Sequence, residues 1–245
     1  RALNAINRAF YREGAAEFSA TRDHPWPGWT RLAELVASAK LPEPLEVLDV
    51  GCGNGRFGCF LAKQQPELRY LGLDASAELL EIARSRGPIG SATELQQLDI
   101  VEQDLDACLG ERRFSLVALM GVLHHVPGAG RRRSLLRTLA GRLRPGGLLA
   151  LTSWQFEAYQ RFRARIVAWE AHNRDAAKPI DPAQLEPGDH LLRWGRGAQL
   201  RYCHFADEDE THALLAPLPC QRLASYRADG REGNLNHYVV LRAGT

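Results

Sequence analysis

A doubly wound α/β fold with a mostly parallel sheet is predicted by two features of this 245-residue chain. Short buried-strand patterns alternate with amphipathic helical patterns five times between residues 46 and 153. The first strand pattern runs into a turn with three glycines, Gly51-Cys52-Gly53-Asn54-Gly55. One sizeable core is expected for this length, 45% hydrophobic and 24% charged.

The elements follow in order. Leu3 to Phe18 carries apolar residues at helical spacing and is broken by the rigid corner Pro25-Trp26-Pro27; a second helix covers Trp29 to Ala39. Glu46 to Val50 reads as the first strand, Arg56 to Gln64 as a helix, Tyr70 to Asp74 as a strand and Ala77 to Arg86 as a helix. A weaker strand near Leu95 to Leu98 and a strong one at Phe114 to Met120 continue the alternation. The Arg-rich helix Arg131 to Leu143 stops at Arg144-Pro145-Gly146-Gly147, and Leu148 to Ser153 is the fifth strand.

Beyond Trp154 the alternation ceases. Glu157 to His172 reads as helical, Pro179 to Asp189 as loop and Arg193 to Arg201 as a polar stretch, which together predict an inserted cap. Asp207 opens a helix reaching Leu215 with a capping-box pattern, and Cys220 to Arg227 and His237 to Arg242 read as closing strands. The expected organisation is one domain: a helical lid over 1–44, a core over 45–154, a cap over 155–205 and a closing unit over 206–245.

Charge excludes little globally, since 31 basic and 29 acidic residues give +2. Its distribution is uneven. Residues 40–111 hold 6 basic and 13 acidic side chains, whereas 112–144 hold 8 arginines and no acid. Five cysteines without a C-x-x-C pair argue for free thiols in a reducing compartment, and no apolar run approaches membrane-span length. A cytoplasmic protein without a membrane partner is expected, with no metal centre.

The glycine turn is ambiguous alone, because Gly53-Asn54-Gly55-Arg56-Phe57-Gly58 also fits a dinucleotide fingerprint. Three neighbours decide otherwise: Asp49 two residues before the first glycine, Asp74 at a strand end 19 residues beyond Gly55, and Arg144-Pro145-Gly146-Gly147 before a later strand. The set resembles the class I S-adenosylmethionine (SAM) dependent methyltransferases. That resemblance implies a seven-stranded Rossmann-like sheet and SAM as cofactor. It also implies a donor site made by Asp49, Gly51, Gly53, Gly55, Asp74 and Val122. Asp99 is the acid expected at the adenine, with Asp104 as its rival in the same loop.

A narrower resemblance lies in four places. Phe10-Tyr11 with the string Phe18 to Pro27, then Val122-Leu123-His124-His125 with Arg131-Arg132, then Leu200 to Phe205, then Gly233 to Leu241 are similar to the tRNA wobble-uridine carboxymethyl methyltransferases. The family implies tRNA as substrate and a methyl ester as product, with a small activating protein as a candidate partner. It places Tyr11, Arg22 and His124 at the reacting groups, and Trp26, Arg131, Arg132 and Arg201 on the substrate. Tyr11 and Arg22 serve equally to hold the methionine carboxylate of SAM. The basic run Arg131 to Arg133 and the cap arginines, Arg196 among them, are expected on phosphates, although a charge run also reads as a solvated helix face. The segment Ala158 to Gln199 matches little of the family, so a small-molecule O- or N-methyltransferase is the alternative.

Overall fold

The computed structural model of the chain describes residues 1–21, 24–195 and 199–244. Two N-terminal helices, α1 (Ala2–Ala20) and α2 (Gly28–Ser38), precede the first strand. Strands β1 (Glu46–Val50), β2 (Arg69–Asp74), β3 (Ala92–Gln97), β4 (Phe114–Leu119) and β5 (Leu143–Trp154) alternate with helices α3 (Arg56–Ala62), α4 (Ala77–Ser85), α5 (Leu105–Leu109) and α6 (Ala129–Gly141). The insert holds α7 (Gln160–Arg163), β6 (Ile166–Val167), α8 (Trp169–Asp175), β7 (Asp189–Arg193) and β8 (Leu200–His204). Helix α9 (Glu208–Leu215) and strands β9 (Cys220–Ala228) and β10 (Asn236–Ala243) close the fold.

The main sheet has seven strands in the order β3-β2-β1-β4-β5-β10-β9. Strands β1 to β5 pair in parallel, and β10 runs antiparallel to both β5 and β9. The strand order reverses at β1/β4, so the crevice at the carboxyl ends of these two strands is where this topology places a ligand. β1 and β4 are buried almost throughout because helices cover both faces, which is why they read as unbroken apolar runs.

One face packs Leu135, Leu136 and Leu139 of α6 with Leu214 and Leu215 of α9. The other packs Trp29, Leu32 and Val36 of α2 against Tyr226, Tyr238 and Val240. Each such fully buried apolar side chain contributes about 1.5–3 kcal/mol.

The structure departs from the sequence expectation in three places. The helix expected over Glu157 to His172 is instead α7, β6 and α8, and the expected loop and polar stretch contain β7 and β8, which join β6 in a three-stranded antiparallel sheet. Leu191, Leu192, Tyr202 and Cys203 are buried on both faces of their strands, so no period-2 alternation marks them, and Asp189, His190, Arg193, Arg201 and His204 break up any apolar run. β5 begins at Leu143 rather than Leu148, because the Pro-Gly-Gly segment is absorbed as an irregularity in its pairing with β4. Helix α5 has no counterpart in the sequence expectation; Asp104 caps it, accepting from Asp106 and Ala107 N–H. No helix among the described residues is long and apolar enough to cross a membrane.

Candidate functional site

The glycine turn after β1 is built for close approach. Gly51, Gly53 and Gly55 have φ of +71°, +55° and +71°, which side chains with a Cβ rarely adopt. A Cβ on Gly51 would lie 2.3 Å from Val122 Cγ2, so this glycine lets the turn pack under the segment following β4. A Cβ on Gly53 would meet only Leu79, at 4.0 Å, and would project into a large cavity. Gly55 does not line that cavity; its absent Cβ makes room for Ile89 and Ala83 at 3.1 and 3.2 Å, which is a packing role.

Two acids flank the turn, Asp74 half-buried and Asp49 buried. Asp74, at the end of β2, accepts from Gly53 N–H at 2.7 Å and Ser76 N–H at 2.8 Å. Burial raises its pKa, and the N–H groups of Ser76 and Gly53 oppose that rise. Asp49 lies beneath, accepting from the Tyr70 hydroxyl at 2.6 Å. Burial lifts its pKa to about 7, the Tyr70 hydrogen bond pulls against this, and the charge of Asp74 adds to it. Asp99 also lines the cavity, accepting from Asn4 Nδ2 and Val101 N–H at 2.9 Å. Asp104 does not, since its carboxylate is committed to the cap of α5.

The cavity, about 680 Å³, runs from these acids to a basic and aromatic end under the insert. There Arg201 of β8 is 7% exposed, with its guanidinium 4.7 Å from the centre of the Trp154 ring and 5.7 Å from that of Phe10. Among the described residues no carboxylate pairs with it, and its Nε has no hydrogen-bond partner. Arg165 and Arg193 line the same end. A buried cation without a counter-ion is costly, so this end of the cavity is matched to an anion.

Tyr11 of α1 reaches this end, its hydroxyl 2.8 Å from His125 Nε2. His125 Nδ1 lies 3.0 Å from the Tyr202 carbonyl and 3.3 Å from Asn7 Nδ2, so the ring sits between α1 and β8. Asn7 Oδ1 accepts from Tyr202 N–H at 2.8 Å and ties α1 to β8 from the other side. His124 is buried against His125 and Trp154, with ring centres 4.1 and 5.4 Å apart, and lines the cavity with Val122. Trp26 forms part of the wall, tilted at 35° against the Trp29 ring and facing Gly121.

The structure thus brings Tyr11, Trp26, Asp49, Gly51, Gly53, Asp74, Asp99, Val122, His124 and Arg201 to one cavity. It does not bring Arg131, which is exposed on α6 outside it. Arg22 and Arg196 lie outside the described residues. Arg132 is a correction: its side chain is 1% exposed, donating to Glu186 at 2.7 Å, Glu210 at 2.9 Å and the Val126 carbonyl at 3.1 Å, so it cannot meet a phosphate. It stands four residues before Leu136 and seven before Leu139, so the helical phase of the buried leucines is the signal that assigns it to the inner face.

Sequence reasoning misses Asp229 altogether. It adopts φ +69° in the turn between β9 and β10, lines the cavity, and accepts from Gly28 N–H at 2.8 Å, Asn236 Nδ2 at 2.8 Å and the Tyr238 hydroxyl at 2.6 Å. It thereby fixes the start of α2 and the Trp26 corner before it. Among the described residues two groups hold potential metal-ligand atoms within 4.8 Å, His124-His125-Cys203 and Glu186-Asp189-His204, but the hydrogen bonds of His125 and of Arg132 to Glu186 already engage them.

Residues 48–149 match a family model described as a methyltransferase domain. The chain is 33% identical over 147 residues to the mouse tRNA (carboxymethyluridine(34)-5-O)-methyltransferase ALKBH8, a match covering 60% of this chain and 19% of that protein. It is 29% identical over 234 residues to the trans-aconitate 2-methyltransferase of Azoarcus sp. strain BH72, covering 82% of this chain and 88% of that one. Among solved structures it resembles a SAM-dependent methyltransferase from Methanosarcina mazei, with TM-score 0.63, 20% identity, and 85% and 97% of the two chains covered. It also resembles SAM-bound CalS10, an amino pentose methyltransferase from Micromonospora echinaspora, with TM-score 0.60, 21% identity, and 93% and 96% covered. Both likenesses are of fold.

Proposed function

As a class I SAM-dependent methyltransferase, this chain, we propose, transfers a methyl group to a carboxylate oxygen, and its acceptor is a carboxymethyl group on a tRNA wobble uridine. The observation that carries the reading is Arg201, a buried guanidinium with no counter-ion among the described residues, at the end of the cavity away from Asp49 and Asp74. An acid-lined end suits a cationic donor and an arginine-lined end suits an anionic acceptor.

The residues present fit the donor. Gly53 leaves open the space its Cβ would take, Asp74 retains lone pairs toward the cavity for ribose hydroxyls, and Asp99 lies along the same wall. SAM, when bound, supplies an electrophilic methyl carbon on a sulfonium. The rest is alignment and exclusion of water, to which Tyr11, Trp26 and His124 contribute as walls. A carboxylate, with an ordinary pKa near 4, is already ionised at neutral pH, so no general base is needed. Arg201 orients it, and the aromatic faces of Trp154 and Phe10 hold the guanidinium in place.

The exposed arginines Arg131, Arg133 and Arg137 on α6 support an RNA acceptor, as does the match to the mouse enzyme. A small polycarboxylate is the second reading, favoured by the longer alignment with a trans-aconitate methyltransferase and by Arg165 and Arg193 beside Arg201. Incubation with labelled SAM and separate pools of tRNA and small organic acids tests both. Base-labile label on tRNA supports the first, base-labile label on an acid supports the second, and base-stable label overturns carboxylate transfer.

A further inference from the structure

Outside the cavity a charged cluster joins α6, the insert and α9. His204, the last residue of β8, is 1% exposed. Its Nδ1 lies 2.8 Å from Asp189 Oδ1 of β7 and its Nε2 3.0 Å from both carboxylate oxygens of Glu210 of α9. Carboxylates only accept, so both bonds form together only when both ring nitrogens carry protons. The other groups facing His204 are Arg132, which donates to Glu210 and Glu186, the Tyr202 hydroxyl, which donates to Asp189 at 2.7 Å, and His124, which shares a small void with His204 and Arg132. Three carboxylates against one guanidinium leave an excess of negative charge that an imidazolium offsets.

This cluster bears on the acceptor through one strand. β8 carries Arg201 into the cavity, and the backbone of Tyr202 holds His125 through its carbonyl and Asn7 through its N–H. Both links depend on where β8 lies, and His204 anchors its end.

We propose that His204, as an imidazolium bridging Asp189 and Glu210, is a positioning residue that holds β8 and therefore Arg201 against the acceptor. The proposal rests on the reading of Arg201 as the acceptor's carboxylate anchor. Burial pulls the His204 pKa down, but the hydrogen bonds to Asp189 and Glu210 outweigh it and hold the group above its ordinary 6.5, with Arg132 opposing. A histidine raised on folding contributes stability fully below 6.5 and loses it as pH rises through the raised value. The clasp is closed at low pH and loosens at high pH.

The test compares wild type, Glu210→Gln and His204→Gln between about pH 6 and pH 9, reading acceptor KM, kcat and SAM affinity together with amide exchange protection over residues 200–204. Wild type should show acceptor KM rising about tenfold across the range, the effect of losing one charge-assisted hydrogen bond, with kcat and SAM affinity level. Glu210→Gln removes the second carboxylate, so a neutral imidazole suffices and the KM profile should flatten. His204→Gln should show the raised KM at every pH. A pH-independent wild-type KM, or a slope that persists in Glu210→Gln, overturns the proposal. If wild type methylates no carboxylate, the acceptor reading fails by itself. Protection over 200–204 that falls with pH in wild type and not in Glu210→Gln still supports the clasp, and equal profiles overturn it.

Discussion

The main-chain N–H of Gly53 donates to Asp74 Oδ2 at 2.7 Å, which makes the glycine turn after β1 and the acid at the end of β2 one hydrogen-bonded unit. Removing the acid therefore disturbs both the turn and the lone pairs it turns to the cavity. Asp74→Ala is expected to weaken SAM binding by about 1.5–3 kcal/mol, the size of a charged hydrogen bond. Isothermal titration reads this; unchanged affinity would remove Asp74 from the donor site.

Two alanine substitutions separate turn geometry from ligand approach. Gly51→Ala must push Val122 aside and hold a strained backbone, so thermal stability should fall by about 1–3 kcal/mol or more. Gly53→Ala meets no close protein atom, so only its left-handed backbone is strained, by about 1–2 kcal/mol of stability, while SAM affinity drops steeply. Unchanged SAM affinity in Gly53→Ala would contradict a donor seated against Gly53.

Asp49 gives a pH signature. Its folded pKa of about 7 lies above the ordinary 3.8, so between these values the native state holds a proton that the unfolded chain releases, and stability declines as pH rises. Asp49→Asn keeps an acceptor for Tyr70 and removes this slope. The variant should be more stable than wild type at pH 8, by up to about 4 kcal/mol, and no more stable near pH 4. Melting curves at the two pH values decide it, and no difference at pH 8 would mean that burial does not destabilise this carboxylate.

Neighbouring arginines on α6 should behave as opposites. Arg132→Met leaves Glu186 and Glu210 without their buried cation and is expected to cost about 3–5 kcal/mol of stability. Arg131→Ala with Arg133→Ala should leave stability within about 0.5 kcal/mol. The same pair should reduce the slope of log RNA affinity against log salt by about 0.7 for each phosphate of a single-stranded loop that the arginines had neutralised. Denaturant titration and salt-dependent RNA binding measure the two effects; an unaltered slope counts against RNA binding at this face.

These contrasts mark what the chain discloses before folding. β1, β2 and β4 are legible because a strand covered on both faces is an apolar run, and Asp74 because it ends one. Arg132 reads with its neighbours as a surface run, although one residue along a helix turns the side chain by about 100° and the leucine phase puts it inside. The sheet of the insert is hidden because its strands span two to five residues. Asp229 is hidden for a different reason: an aspartate before glycine looks like an exposed turn, and only the distant Gly28, Asn236 and Tyr238 donors make it a buried wall of the site.

The central claim is that Arg201 anchors an anionic acceptor, and the acceptor KM of Arg201→Met measures it most directly, with SAM affinity as the internal reference. The long apolar side chain keeps its packing against Trp154 and Phe10 while the charge is removed. The predicted result is an acceptor KM raised at least about tenfold, the effect of removing a charged hydrogen bond, with SAM affinity unchanged. Acceptor KM equal to wild type, with methyl transfer intact, would contradict the account.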